Sequence, residues 1–268
     1  MLGAIVGDIV GSRFEFDNHR SKEFDLFGEG CFATDDSIMT LAVAKALMET
    51  RRTLGPEDDF CRLLGDLTVQ YMQDIGRNYP NCGYGGSFYH WVFSDDPKPY
   101  NSYGNGAAMR ISPVGFIAKS MDEAVRLSEI VTAVTHNHPE GIKGAEATTV
   151  AIYLARHGAS QSEIGERVSR EYYPLDFNID AIRPTYRFNE TCQDTVPQAI
   201  QCFLEAESFE DAIRIALSLG GDSDTIAAIT GAISESYFGV PEWIRQEALS
   251  YLDPRLREIY DAWEAWSK

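Results

Sequence analysis

Residues 36–52 read Asp-Ser-Ile-Met-Thr-Leu-Ala-Val-Ala-Lys-Ala-Leu-Met-Glu-Thr-Arg-Arg. Ile38, Leu41, Ala42, Ala44, Leu47 and Met48 recur at the three- and four-residue spacing that lines one face of a helix. The pattern repeats outward from this stretch. Pro56 opens a second start signal, with Glu57, Asp58 and Asp59 in a first turn, where acids suit the positive end of the helix dipole. That helix is expected to run to about residue 74. Further helices are predicted at 121–136, 140–157, 161–172, 196–207, 209–219, 223–237 and 241–252, and no strand hairpin signal competes with them. Toward the start, Gly3, Gly7 and Gly11 form an i, i+4 stripe, which reads as close helix–helix packing.

Two stretches break the pattern. Residues 76–110 are rich in glycine, proline and aromatics, with room for one short helix near 88–93; a loop region that long inside a compact domain is usually functional. Residues 174–190 form a second irregular stretch. There is no internal repeat and no low-complexity linker, so the expectation is one all-α domain over residues 1–268.

With 41 acidic and 23 basic side chains the net charge is −18, which disfavours general binding to nucleic acid or to an anionic membrane. No window of about 18 uncharged apolar residues offers a membrane span. The apolar first ten residues lack a basic leader, and Asp8 interrupts them, so they do not read as a signal peptide. The five cysteines are widely spaced, odd in number and without a CxxC pair, which fits a reducing, cytoplasmic setting.

Five segments hold candidate chemistry. Thr34-Asp35-Asp36-Ser37 and Gly220-Gly221-Asp222-Ser223-Asp224-Thr225 each sit at the mouth of a predicted helix. Capping explains one oxygen at each start. Each start, however, offers two carboxylates and a threonine hydroxyl, which repel one another unless a cation intervenes. Such hard oxygen donors suit Mg²⁺ or Mn²⁺ better than Zn²⁺. An EF-hand from Asp222 fails, because its sixth position is Ala227 and its twelfth Ile233. The third segment runs from Gly7-Asp8 through Gly11-Ser12 to Glu15, whose carboxylate could reach the same centre. The fourth, Ser102-Tyr103-Gly104-Asn105-Gly106-Ala107-Ala108-Met109-Arg110, reads either as an Asn-Gly turn or as a nest of backbone N–H groups for phosphate. It matches neither a Walker loop nor a dinucleotide fingerprint. In the fifth, Thr135-His136-Asn137-His138-Pro139-Glu140-Gly141, a hydrogen bond to phosphate or a cap is favoured over metal ligation.

Taken together and in this order, the five segments resemble the ADP-ribosylglycohydrolases, and the resemblance spans Gly7 to Thr225, nearly the whole chain. It implies a single compact domain of orthogonally packed helices around a centre of two Mg²⁺ or Mn²⁺ ions. Thr34, Asp35 and Asp36 match one ligand group of that family; Asp222, Asp224 and Thr225 match the other. Glu15 matches a glutamate at the metals and the substrate ribose, and Glu15 or Asp35 is the expected general acid or base, with a base role preferred for Asp35. Ser102, Tyr103, Gly104, Asn105, Gly106 and His136 match positions that bind substrate. Tyr84, Phe88 or Tyr103 is expected to stack on adenine or to line the cleft. The implied activity is hydrolysis at C1″ of ADP-ribose, with an ADP-ribosylated protein as the expected partner. An inactive ADP-ribose binder and a different metal-dependent nucleotide hydrolase are the alternatives.

Overall fold

The computed structural model describes residues 1–54 and 59–267, which form α1 (Leu2–Gly11), a 3₁₀ turn (Ser12–Phe14), α2 (Asp35–Thr53), α3 (Phe60–Gly76), α4 (Gly86–Val92), α5 (Gly106–Met109), α6 (Ser112–Ile117), α7 (Met121–Ala133), α8 (Pro139–Arg156), α9 (Gln161–Glu171), α10 (Ile179–Ile182), α11 (Cys192–Leu204), α12 (Phe209–Leu219), α13 (Ser223–Phe238), α14 (Glu242–Ser250) and α15 (Pro254–Trp266). There is no strand among the described residues; one isolated bridge joins Gly104 to Thr191.

The glycine stripe sets the architecture. An added Cβ at Gly3 or Gly7 would lie 2.0 Å from the carbonyl oxygen of Gly231 or Ala227, and at Gly11 2.4 Å from Cα of Asp224. Only glycine lets the α1 and α13 backbones approach this closely. The contact draws Asp8 and Ser12 alongside the start of α13. Every residue of α1 is buried, as is the continuous run Ser223–Ser234 of α13, so this pair is apolar nearly all round and forms the centre of the domain. Helices α8, α11 and α12 pack on the other sides of α13, and α2 packs on α1, α3 and α15.

Side-chain caps set many of the boundaries. Asp59, Ser120, Ser160, Ser208 and Asp253 each accept first-turn N–H groups, and Ser160 completes a capping box with Glu163. The expected start at Pro56, with Glu57 and Asp58, lies outside the described residues; Asp59 is the cap of α3. The predicted helix at 88–93 is α4, about two turns within the long 76–110 region. Helix α15 went unpredicted although Asp253-Pro254 is a cap followed by proline at the first helical position. Helix α11 begins upstream of the predicted 196, with Pro197 inside it, because the Cys192 N–H donates to the Tyr103 carbonyl at 2.9 Å. That long-range bond anchors the helix start where the local pattern did not. All five cysteines are free, and no described helix is long and apolar enough to cross a membrane.

Candidate active site

The start of α2, the start of α13 and the turn after α1 converge on one cavity of about 240 Å³. Asp8 organises the first of these. Fully buried on α1, it accepts from the Thr34 hydroxyl at 2.5 Å and from the Thr34 and Ser37 N–H groups at 3.0 Å each. The Thr34 hydroxyl in turn accepts from the Asp36 N–H at 3.3 Å. Thr34 is therefore a cap locked by Asp8, and it stands behind the cavity wall, whereas Asp35 and Asp36 face the cavity.

The start of α13 is different. No side chain caps it, although Asp222 occupies the cap position. Asp222 instead accepts from Asn105 Nδ2 at 2.6 Å, which ties the glycine-rich loop to this cluster. Gly220 and Gly221 precede it with φ of 74° and 79°. A Cβ at Gly221 would also lie 2.4 Å from the Tyr186 ring. The two acidic clusters meet directly: the Thr225 hydroxyl donates to Asp36 Oδ2 at 3.3 Å across 189 residues of sequence.

Carboxylate oxygens of Asp8, Asp36 and Asp224 lie within 4.8 Å of one another, and so do those of Glu15, Asp222 and Asp224. Asp224 belongs to both groups. Asp35 belongs to neither and lies on the Gly83 side of the cavity. Among the described residues no lysine or arginine forms an ion pair with any of these acids. Burial and mutual repulsion hold Asp35, Asp36 and Asp224 well above the ordinary carboxylate range. Burial also raises Asp8 and Asp222, but hydrogen bonds limit each to about 6. Glu15 is half-buried and is pushed up to about 8 by desolvation and by Asp224, Asp8 and Glu190. Asp36 Oδ1 is buried without a hydrogen-bond partner. A hard divalent cation fits this set: it would supply the missing positive charge and engage the unpartnered oxygen.

Glu15 is held by its own loop. Asn18 Nδ2 donates to the carbonyls of Phe14, Glu15 and Gly221 at 2.8, 3.1 and 3.0 Å, and Asn18 Oδ1 accepts from the Gly221 N–H at 2.8 Å. The Arg20 guanidinium donates to the carbonyls of Arg183, Leu219 and Tyr186. Both side chains fasten the Glu15 loop to the turn that launches Asp222.

The opposite wall is neutral to cationic. Ser102, Gly104, Asn105 and Gly106 line it, with His136 Nε2 facing the two glycines. Arg110, which lies behind His136, has 1% of its surface exposed. Its Nη2 donates to the Thr135 hydroxyl at 2.5 Å and to His136 Nδ1 at 3.2 Å. Arginine cannot accept, so Nδ1 carries no proton and the neutral ring presents Nε2–H to the cavity. Burial, and then the Arg110 charge, keep His136 well below the usual histidine range. Arg110 itself is lowered by burial to about 10 and remains charged. Its Nε and Nη1 have no hydrogen-bond partner. His138 caps α8 by accepting from the Glu140 N–H, as a cap and not a ligand.

The fold brings most of the expected residues to the cavity. Tyr103 is an exception: its ring is 46% exposed at the rim, 5.1 Å from the His138 ring, outside the cavity wall. Phe88 lines the cavity, whereas Tyr84 packs against Phe88 at 5.3 Å. Three contributors escaped the sequence reading. In the sequence Asp8 merely interrupts an apolar helix, Arg110 merely ends a loop, and Asn18 carries no local signal.

A family model described as ADP-ribosylglycohydrolase matches residues 1–266. The chain is 26% identical to the ADP-ribosylarginine hydrolase Tri1 of Pseudomonas putida (strain GB-1), covering 97% of this chain and 76% of that protein. It is 25% identical to human ADP-ribosylhydrolase ARH3, covering 94% and 88%. An uncharacterised protein of Archaeoglobus fulgidus is 33% identical over 85% of this chain and 80% of its own length. A solved structure described as an ADP-ribosylglycohydrolase-related protein complex has the same fold, with a TM-score of 0.68 at 20% identity over 100% of this chain and 97% of its own. The protein is thus a member of the ADP-ribosylglycohydrolase family, glycosidase-type hydrolases that release ADP-ribose from an acceptor.

Proposed function

We propose that the protein removes ADP-ribose from a modified protein side chain in the cytoplasm, by hydrolysis at C1″ with two Mg²⁺ or Mn²⁺ ions. The observation that carries this is Asp224, whose carboxylate is common to two adjacent acidic groups. Two groups sharing a ligand suit a pair of ions, with Asp36 on one side and Glu15 and Asp222 on the other. Asp8 and Thr34 orient this set, Thr225 joins its halves, and Asp35 flanks it. When bound, such ions supply Lewis-acid polarisation and a fixed grip on ribose hydroxyls.

The chain's own groups supply the rest. Glycosidic cleavage passes through an oxocarbenium-like state and needs a base for the attacking water. Glu15 is the base: it is half-buried at the cavity, next to Asp222 and Asp224, and bound cations would remove the part of its raised proton affinity that the nearby acids add to burial. Asp35 is the second candidate. His136 Nε2–H and the unpartnered N–H groups of Arg110 favour a diphosphate at the opposite end. Tyr103 at the rim offers a face for adenine.

The test incubates the protein with arginine-, serine- and nucleic-acid-linked ADP-ribose, with and without Mg²⁺ or Mn²⁺. Free ADP-ribose is the expected product, and chelation abolishes it. Glu15→Gln should lower turnover by about 10²–10⁴-fold while changing ADP-ribose affinity far less. Release of AMP or phosphate would make the protein a different nucleotide hydrolase. Binding of ADP-ribose without release from any substrate would make it an inactive binder.

A further inference from the structure

A second cavity, of about 320 Å³, lies beside the one that gathers the acids. The two share a wall. Asp35 and Gly83 line the first, and Ala33 and Cys82 line the second. The Asp35 N–H donates to the Cys82 carbonyl at 3.1 Å, so the two segments of that wall are bonded to each other. The wall also reaches the surface. Pro80 and Asn81 on the second cavity are exposed, as are Gly83, Gly85 and Gly86 on the first. The cavities therefore open side by side along residues 80–86.

Nothing in the chemistry above uses the second cavity. Phe32, Ile38, Tyr79, Pro80, Tyr251 and Leu256 make it largely apolar. Phe32 is 50% exposed. The apolar face continues past Tyr251, which stacks on Phe27 at 5.9 Å between centroids, to Trp243, which is 52% exposed and edge-on to Phe27 at 6.3 Å. Exposed aromatics gathered round a hollow are the makeup of a protein-binding face. The hollow is also fixed in shape. The Tyr79 hydroxyl donates to Asp253 Oδ2 at 2.7 Å, while Asp253 Oδ1 caps α15 by accepting from the Arg255 and Leu256 N–H groups at 2.9 Å each.

The border of the hollow is acidic. Asp253 lines it, Glu247 lies within electrostatic reach of the Tyr251 hydroxyl, and Glu29 is exposed three residues before Phe32. Among the described residues no lysine or arginine lines the hollow. Arg13 and Arg255 stand nearby but are engaged elsewhere: the Arg13 guanidinium donates to the Asp25 carbonyl, and that of Arg255 to the Asp74 carbonyl at 3.3 Å. A second copy of this chain, with its net charge of −18, would be repelled here, whereas a basic segment would be attracted.

On the hydrolase reading proposed above, C1″ lies at the carboxylate end of the first cavity, and the acceptor leaves beside Asp35, at the shared wall. We infer that the second cavity docks the modified protein, taking an aromatic side chain flanked by a basic one from the segment that carries the ADP-ribose. The inference rests on that reading, but not on which acceptor atom is cleaved.

The experiment uses peptides ADP-ribosylated at a single residue, through whichever linkage the protein cleaves fastest. One series carries Phe-Lys two, four or six residues to either side of the modified residue, and the control carries Ala-Ser there. At the placement that spans the wall, kcat/KM should exceed the control by about tenfold, through KM, and the gain should shrink at high salt. Phe32→Ala, which removes part of the wall, and Asn81→Trp, which fills the hollow, should each cut the gain to within about twofold. Both variants should release ADP-ribose from the modified amino acid alone at the wild-type rate, since neither side chain lines the first cavity. Equal rates across the series, or a gain that survives both variants, would overturn the docking site and leave the hydrolase reading intact. A concentration-dependent dimer in sedimentation, lost in Phe32→Ala, would make the face a contact between copies and overturn the docking site likewise. Release from neither peptides nor amino acid, with ADP-ribose still bound by calorimetry, would overturn the hydrolase reading and the docking site with it.

Discussion

At one end of the cavity Asp36, Asp222 and Asp224 are buried together and, among the described residues, form no ion pair with a cation; at the other, Arg110 is buried and, among the described residues, forms no ion pair with a carboxylate. Each end has an unpartnered polar atom, Asp36 Oδ1 in the first and Arg110 Nε and Nη1 in the second. Unpaired buried charge costs several kcal/mol per ion, so a fold that keeps both is prepared for ligands of opposite sign at its two ends. The two ends should accordingly fail in different ways when disturbed.

The largest effect is expected at the acidic end. Asp224→Asn removes the carboxylate common to both groups, so it should abolish Mn²⁺ binding by calorimetry and turnover together. In chelator the variant should melt at or above the wild-type temperature, because repulsion is relieved. The wild-type protein in chelator gives the matching pH dependence. Burial raises these acids in the folded state, so protonation favours folding: the contribution is complete below the ordinary carboxylate range. It is lost as pH rises through about 6, for Asp8 and Asp222, to about 8, for Glu15. Melting temperature should fall from pH 5 to 9 and recover on addition of Mn²⁺, most at the alkaline end. A chelated protein that gains stability over that range would break the comparison at its first term.

Much of this division was legible in the sequence. The double-Asp and Asp-x-Asp-Thr segments name the acidic end by composition alone, since no cap needs two carboxylates and a hydroxyl. Helical periodicity likewise located α2, α8, α12 and α13, whose buried faces carry the pattern. What escaped was tertiary in origin. Asp8 looks like a flaw in an apolar helix until Thr34 and Ser37 are placed opposite it. Arg110 looks like the end of a loop until burial leaves two of its nitrogens without partners. The upstream start of α11 depends on a hydrogen bond to Tyr103, 89 residues away in sequence, which no local rule encodes.

At the neutral and cationic end the expected loss is of affinity and not of chemistry. His136→Ala deletes the Nε2–H donor while leaving the acidic end untouched. ADP-ribose affinity by calorimetry should weaken by about 1–3 kcal/mol, and Mn²⁺ affinity should stay at its wild-type value. A loss of Mn²⁺ affinity in this variant would mean that the two ends are not separate. A fall in kcat with no change in ADP-ribose affinity would move His136 from binding to the reacting atoms.

The smallest effect is expected at Asn18, which stands outside the cavity lining and acts through Glu15. Its amide makes three donor bonds and one acceptor bond that hold the Glu15 loop to Gly221. Asn18→Ala removes all four, so the Glu15 carboxylate should sample positions out of reach of the water it activates. Turnover should fall by about tenfold, less than in Glu15→Gln, since a loosened base is still a base. ADP-ribose affinity should hold, because the diphosphate contacts lie at the far wall. A general loosening of the fold would lower turnover too, so the deciding measurement is the double variant. If Asn18 acts only by positioning Glu15, adding Asn18→Ala to Glu15→Gln should cost nothing further, because the residue it positions no longer carries the charge. If the two losses multiply, Asn18 acts through the Asp222 turn as well, and the carboxylate pair, not Glu15 alone, is what the loop holds in place.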